Sequence, residues 1–119
     1  MSKIEKIWGT TESLIVTPLF EMHRLTIKPG FRCSLHVHRF KWNAFYVGYG
    51  KLFLDLLSND MGGAVTVEEL DIGGFTTIAP GVHHQFRTDV DGPLTSALEM
   101  YYTEPLSEDI VRRNVGGPM

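Results

Sequence analysis

Short runs of apolar and β-branched residues recur along the chain, and turn-forming residues separate them. Pro29-Gly30, Gly73-Gly74 and Asp91-Gly92-Pro93 are examples of these separators. Several runs alternate between apolar and polar positions, which is the pattern of a strand with one buried face. The predicted strands are Ser13–Val16, Glu21–Lys28, Arg32–His38, Ala44–Val47, Lys51–Leu57, Ala64–Leu70, Phe75–Ile78, His84–Arg87 and Leu94–Tyr102. Many short strands in one domain favour a sandwich or barrel, so the expected fold class is all-β.

One segment, Ser107–Asn114, has a helical pattern instead. Ser107 is a suitable N-cap, and Glu108 follows it in the first turn. Arg112 lies near the end of the segment, where a positive charge complements the helix dipole. A short C-terminal helix is therefore predicted.

The composition excludes several functions. The chain has 119 residues and a mass of 13.4 kDa, and nothing divides it, so residues 1–119 are predicted to form a single domain. Its 11 basic and 14 acidic residues give a net charge of −3, which argues against a nucleic-acid partner. No apolar run approaches the roughly 18 residues of a membrane span, and no signal peptide is recognisable at the N-terminus. We therefore expect a cytoplasmic protein without a membrane partner.

Histidines supply the candidate chemistry. His36 and His38 are alternate residues, so they project side by side if Arg32–His38 is extended, and two imidazoles then reach one metal ion. His83 and His84 are neighbours that point to opposite faces, so at most one of them joins the other two. Cys33, the only cysteine, lies three residues before His36 and is expected to be a buried residue that points to the opposite face.

Two longer motifs surround these histidines. The first is G-x5-H-x-H-x4-N-x6-G, from Gly30 to Gly50, and the second is G-x5-A-x-G-x2-H, from Gly73 to His84. They resemble the two signature motifs of the cupins, which are double-stranded β-helix (jelly-roll) barrels with a metal held inside. The resemblance implies that His36, His38 and His84 are metal ligands. Asn43 then occupies the fourth ligand position, where cupins normally have Glu.

A closer resemblance extends over nearly the whole chain. Trp8-Gly9, the stretch from Ser34 to Phe45, Leu98-Glu99-Met100 and Glu108-Asp109-Ile110-Val111-Arg112 are similar to the cupin domain of type II phosphomannose isomerases. This resemblance implies a sugar-phosphate isomerase, with Glu99 as the candidate base for moving a proton between adjacent carbons. Lys41 and Arg112 are the candidate phosphate-binding residues. If the late strand alternates, Glu99 and Tyr101 share one face.

Several alternatives stay open at this stage. Neutral imidazoles suit one divalent ion such as Zn, Fe, Mn, Ni or Co, and the resulting centre is a Lewis acid. Three-histidine iron sites also occur in dioxygenase cupins, so a metal-dependent oxidoreductase is the main rival enzyme. A non-catalytic cupin that binds a small ligand is the third possibility, because Asn43 removes a charged ligand. A small-molecule ligand, most simply a carbohydrate, and a homodimer are the expected partners. His23 is expected to be a hydrogen-bonded structural residue.

Overall fold

The computed structural model describes residues 2–57, 65–103 and 115–119 of the chain. Its strands are β1 (Lys3–Lys6), β2 (Gly9–Val16), β3 (Phe20–Ile27), β4 (Trp42–Tyr49), β5 (Leu52–Leu57), β6 (Val65–Leu70), β7 (Phe75–Ile78), β8 (His83–Arg87) and β9 (Thr95–Tyr102). Within these ranges there is no helix, and hence none that would cross a lipid bilayer. The predicted helix Ser107–Asn114, including Arg112, lies outside the described residues.

The strands form two antiparallel sheets, which confirms the predicted all-β jelly-roll barrel. The larger sheet has the order β1-β2-β3-β9-β4-β7, and the smaller sheet has the order β6-β5-β8. Strands that are neighbours in space are often distant in the sequence: β9 lies between β3 and β4. This arrangement brings residues from the second half of the chain next to those from the first.

Alternation along the strands builds a core between the two sheets. Phe45 and Val47 of β4, Ala97 of β9 and Phe86 of β8 all face inward and are almost completely buried. The whole buried apolar cluster consists of Trp8, Leu25, Ile27, Cys33, Phe45, Val47, Leu52, Leu54, Leu70, Ile78, Phe86 and Ala97. At one end the same inward-facing rows continue as polar residues, namely Asn43, Glu99 and His84. The apolar core therefore ends in a buried polar group of side chains.

Two predictions about strands were wrong. Arg32–His38 is not a regular strand, since only Arg32 and His36 form isolated bridges, to Arg87 and His84. Conversely, β1 was not predicted, because all of its residues are exposed and it has no apolar periodicity to detect. Ile4 of β1 is about half exposed at this edge of the larger sheet.

The homodimer that we expect from the sequence stays a prediction.

Gly9, at the start of β2, meets a steric requirement that no other residue satisfies. Its φ of 151° lies in a region that side chains disfavour. A Cβ atom built there would lie only 1.8 Å from the backbone carbonyl oxygen of Thr26 on β3. Because that oxygen belongs to a paired strand, it cannot move away without disturbing the β2–β3 ladder.

We predict that Gly9→Ala lowers the free energy of unfolding by at least about 3 kcal/mol, through backbone strain and overpacking together. Chemical denaturation measures the loss. Gly48→Ala is the matched control, because its Cβ would make only an ordinary contact, 3.7 Å from the Ser96 carbonyl oxygen. An unfolding free energy for Gly9→Ala equal to that of this control would contradict the prediction.

Candidate metal centre

An irregular segment beside β8 carries two of the three clustered histidines. The backbones of His36 and His84 exchange two hydrogen bonds, with N···O distances of 3.1 and 2.8 Å. The Gly81 N–H donates to the His38 carbonyl oxygen at 2.8 Å, so the segment stays attached to the β8 side of the barrel. Backbone bonds thus hold all three imidazoles in the same neighbourhood.

The segment contains one extra residue relative to β8. Arg32 lies opposite Arg87 and His36 lies opposite His84, so a separation of four residues faces a separation of three. An extra residue in one strand shifts the alternation, so that side chains on the two sides of the extra residue no longer follow the simple odd–even pattern. Cys33 therefore faces inward and lines the same cavity as His36, and the prediction that it points to the opposite face was wrong. Its burial was predicted correctly, and that burial raises the pKa of the Cys33 thiol to about 11.

The imidazoles of His36, His38 and His84 form a compact cluster. The ring centroid of His36 lies 5.0 Å from that of His38 and 4.5 Å from that of His84. One nitrogen of each ring lies within 4.8 Å of one nitrogen of each of the others. The spacing argument predicted this grouping although the regular strand that it assumed is absent. Alternate residues of an extended segment still project to the same side.

Hydrogen bonds at the far side of two rings decide which nitrogen faces the cluster. His36 Nδ1 donates to the Ser34 carbonyl oxygen at 2.8 Å, and His84 Nδ1 donates to the Val82 carbonyl oxygen at 2.9 Å. A carbonyl oxygen only accepts, so the tautomer that satisfies these contacts is protonated on Nδ1 and has its lone pair on Nε2. His38 Nε2 is buried and finds no hydrogen-bond partner within the described ranges. Such an arrangement is typical of metal-binding histidines, in which the second nitrogen orients the ring.

Asn43 adds an oxygen atom to the same point. It is fully buried, and its Nδ2 donates to the Met100 carbonyl oxygen at 3.0 Å and to Glu99 Oε2 at 3.3 Å. Because the Met100 oxygen can only accept, the amide cannot be turned around. Asn43 Oδ1 consequently faces His84 Nε2 at a distance of 3.0 Å.

His84 has an acceptor oxygen at each ring nitrogen, and a neutral imidazole carries only one proton, so in the tautomer protonated on Nδ1 the lone pairs of Nε2 and Oδ1 face each other. Burial, the main cause, lowers the pKa of His84 to about 4, so the ring is neutral near pH 7. Burial also lowers the pKa of His38, with smaller effects from the nearby charges of His36 and Lys41. A cation between the lone pairs turns their repulsion into attraction.

The residues present therefore fit a metal ion. His36, His38 and His84 would hold it through their ring nitrogens, with Asn43 Oδ1 as the fourth donor. Nitrogen donors with one amide oxygen suit first-row transition metals better than calcium or magnesium. The fold and the three-histidine cluster together fit a metal-binding cupin, and the identity of the ion stays open.

Glu99 is a buried carboxyl group that contacts Asn43 of this site. It lies on β9 opposite Phe45 of β4 and is 7% exposed. The Asn43 amide donates a hydrogen bond to it, and burial raises the pKa of its carboxyl group. Tyr101 shares the inward face, as the predicted alternation requires, and its ring centroid lies 5.1 Å from that of His38. Burial and the adjacent Glu99 raise the pKa of the Tyr101 phenol.

An open cavity of about 480 Å³ leads to these groups. His36, Glu99 and Tyr101 form its inner end, and Trp8 and Phe86 contribute an apolar wall. His23 also lines it and is hydrogen-bonded, with Nδ1 3.2 Å from the Ser13 hydroxyl and Nε2 3.0 Å from Glu21. The cavity is large enough for a small ligand.

The cavity residues that were not predicted as site residues include two cations, Arg32 and Lys6. Arg32 belongs to the same segment as His36, and this proximity in the sequence was the available signal. Lys6 lies on β1, which has no periodicity, so nothing in the sequence pointed to it.

Lys41, one of the predicted phosphate-binding residues, does not line this cavity. Its Nζ lies 3.9 Å from a Glu21 carboxylate oxygen and 5.4 Å from the centroid of the Tyr101 ring. Arg112, the other, lies outside the described residues.

His83 is not part of the histidine cluster, as expected for a neighbour of His84 on a strand. The roles assigned to Glu99, Lys41 and Arg112 stay predictions.

Comparisons with known proteins support the cupin fold. No protein-family model matches this chain, and no curated protein sequence matches it. Among solved structures, KdgF from Halomonas sp. is 13% identical with a TM-score of 0.71, over 88% of this chain and 90% of that one. The Cnp3 cupin domain of Schizosaccharomyces pombe is 11% identical with a TM-score of 0.72, over 87% of this chain and 69% of that one.

Oxalate decarboxylase from Lactobacillus farciminis is 16% identical with a TM-score of 0.70, and the match covers 89% of this chain. The chain spans only 31% of the length of that enzyme. At these identities the likeness shows the fold alone, and the fold is that of a cupin domain. The finer resemblance to phosphomannose isomerases stays a prediction.

We predict that replacing both His36 and His38 with alanine abolishes metal binding and leaves the barrel folded. The two rings supply half of the donor set, whereas the apolar core is formed by other side chains. Metal content after dialysis measures the loss, and circular dichroism checks the fold. A full equivalent of tightly bound metal in the double variant would show that the site is elsewhere.

Asn43→Asp tests the fourth donor. The change leaves a carboxylate oxygen facing the Met100 carbonyl oxygen and Glu99, so we expect the metal-free protein to lose about 2–4 kcal/mol of stability with its two hydrogen bonds. A charged oxygen also binds a divalent ion more tightly than an amide oxygen does, so added metal should raise the melting temperature more than in the wild type. Equal metal-induced shifts in the two proteins would mean that residue 43 is not a ligand.

Proposed function

We propose that this protein is a metal-dependent isomerase that acts on a small sugar or sugar phosphate. One observation carries the proposal: a buried carboxyl group, Glu99, faces a cavity of ligand size directly beside the three-histidine cluster. An aldose–ketose isomerase needs a base that removes a proton from one carbon and returns it to the next, together with polarisation of the two oxygens.

Glu99 is suited to both proton transfers. As a carboxylate it takes the proton from C2 of the aldose, the electron pair of the broken C–H bond forms the C1–C2 double bond, and the π pair of the C1 carbonyl moves to O1, which gives an enediolate. The O2 hydroxyl proton passes to O1, and the same carboxyl group returns its proton to C1 as the C2 carbonyl forms, which gives the ketose. The electrons stay within the substrate, so the reaction needs no external oxidant or reductant.

The neighbours of Glu99 hold it in place for this task. Asn43 donates a hydrogen bond to the carboxylate, and burial of Glu99 leaves the side chain little freedom to rotate. A bound divalent ion supplies Lewis-acid polarisation of the substrate oxygens. Asn43 lies on β4 and Glu99 on β9, and the pairing of these two strands fixes the position of the base.

The cavity walls agree with a carbohydrate ligand. Trp8 and Phe86 pack edge to face, with centroids 4.9 Å apart, and they offer an apolar surface to the C–H face of a sugar ring. Thr11 and Ser13 of β2 line the same cavity and supply hydroxyl groups for hydrogen bonds. This combination of an apolar wall and a few polar groups is common in small-molecule sites.

An oxidoreductase of the dioxygenase type is the second candidate function. It is favoured by the donor set, since three neutral imidazoles and an amide oxygen bring no negative charge to the ion and suit iron. The solved oxalate decarboxylase of Bacillus subtilis contains Mn(II) centres, so manganese is a further candidate ion. Metal analysis of protein purified without added metal separates the two functions, because tightly bound iron favours oxygen chemistry.

We predict that Glu99→Gln lowers the rate of aldose–ketose interconversion by about 10²–10⁴-fold, the usual contribution of a general base. The substitution keeps the shape of the side chain, so metal binding is expected to persist. The assay incubates the metal-loaded protein with aldoses and aldose 6-phosphates in D₂O, and NMR detects interconversion and incorporation of solvent deuterium.

Glu69→Gln is the control, because Glu69 lies on β6 and pairs with Lys51 at 2.7 Å, away from the cavity. Its rate is expected to equal that of the wild type. The isomerase proposal fails if the wild type catalyses neither exchange nor interconversion with any aldose of the panel. Binding of the same sugars without turnover would identify a non-catalytic cupin.

A further inference from the structure

The positive side chains of the described chain fall into two groups. Arg24, Lys41, Lys51 and Arg87 have a carboxylate oxygen within 4.0 Å, and Lys28 lies over the ring of Phe31. Lys3, Lys6, Arg32 and Arg39 have no carboxylate partner within the described ranges. Two of these four, Lys6 and Arg32, line the cavity that leads to the metal cluster.

The cavity contains no described carboxylate that would neutralise these two cations. Glu99 is the only acidic residue among the described residues that line it. Its carboxylate already accepts a hydrogen bond from Asn43 and forms no ion pair with either cation. A ligand in the cavity therefore meets two positive charges that have no carboxylate partner among residues 2–57, 65–103 and 115–119.

The two cations come from independent parts of the fold. Lys6 is the last residue of β1, at the edge of the larger sheet. Arg32 belongs to the segment of His36, and its backbone is bridged to Arg87 of β8 in the smaller sheet. The cavity thus has a cation on each sheet side with no carboxylate partner in the described part of the chain, and His36 and Glu99 line the same cavity.

We propose that Arg32 and Lys6 bind an anionic group of the substrate, a carboxylate or a phosphate carried on a hydroxylated carbon skeleton. This inference rests on the proposed function in one respect, namely that the reacting carbons lie beside Glu99. The guanidinium of Arg32 offers a planar fork of N–H donors that matches two oxygens of either group, and Lys6 adds a point charge. Lys41, which the sequence suggested for this task, lies outside the cavity and beside Glu21.

Isothermal titration calorimetry tests the proposal with three probes that share a sugar skeleton: glucose 6-phosphate, glucuronate and uncharged glucose. We expect at least one anionic probe to bind at least about tenfold more tightly than glucose. Arg32→Gln should weaken its binding about 10- to 100-fold, the range for a lost charge-assisted hydrogen bond. Lys6→Gln should weaken it by a smaller factor, and neither variant should change the binding of glucose.

Matched variants separate this effect from unrelated ones. Lys3→Gln removes an unpaired cation of the same strand outside the cavity, and it should bind all three probes like the wild type. Arg32→Lys keeps the charge and should retain part of the affinity. The titrations are run with metal-loaded and EDTA-treated protein, because anions also bind metal ions directly, and the Arg32→Gln loss should appear in both.

The outcomes also distinguish this proposal from the isomerase proposal, since binding is measured without turnover. A preference for glucose 6-phosphate identifies a phosphate ligand and a preference for glucuronate a carboxylate ligand, provided that Arg32→Gln removes the preference. The proposal is overturned if no anionic probe binds more tightly than glucose. It is equally overturned if folded Arg32→Gln binds within twofold of the wild type, or if Lys3→Gln loses as much affinity.

Discussion

The buried amide of Asn43 connects the two sheets at the point where the site is formed. Both of its N–H bonds donate within the larger sheet, to Met100 and Glu99 of β9, and its oxygen faces His84 of β8 in the smaller sheet. This single side chain therefore sets the position of the candidate base and of one metal-binding imidazole together. Because the Met100 carbonyl oxygen only accepts, the orientation of the amide is fixed and its oxygen is directed at His84 Nε2.

That arrangement is unfavourable in a protein without a cation and favourable in one that holds a metal. His84 faces an acceptor oxygen at each ring nitrogen and its neutral ring has only one proton, so one of the two contacts lacks a hydrogen atom. His38 Nε2 is in a similar position, since it is buried without a partner in the described ranges. Native proteins rarely leave buried polar atoms unpaired unless another group satisfies them. The same atoms that lower the stability of the metal-free protein are those that would bind the ion.

One substitution relative to the cupin motif that the sequence resembles changes the charge of the site. At position 43 the pattern has a carboxylate and this chain has an amide, which leaves Glu99 as the carboxyl group of the inner cavity. If Asn43 were a glutamate, two carboxylates would lie within contact distance in a buried environment, and one of them would tend to be protonated. With the amide, the carboxyl group of Glu99 instead receives a hydrogen bond, so it is held in place and has no competing base beside it.

The amino-acid sequence determined the fold class and most of the metal-binding cluster. Alternating apolar runs define strands such as β3 and β9 because a half-buried strand needs that period, and alternate positions bring His36 and His38 to one side. Only the tertiary structure decided that Cys33 faces inward, that Lys6 reaches the cavity and that Lys41 does not. These outcomes depend on one extra residue in the pairing with β8 and on an exposed edge strand. Local periodicity predicts neither the extra residue nor the edge strand. The register between strands that are distant in the sequence is set by contacts that form only when the barrel closes.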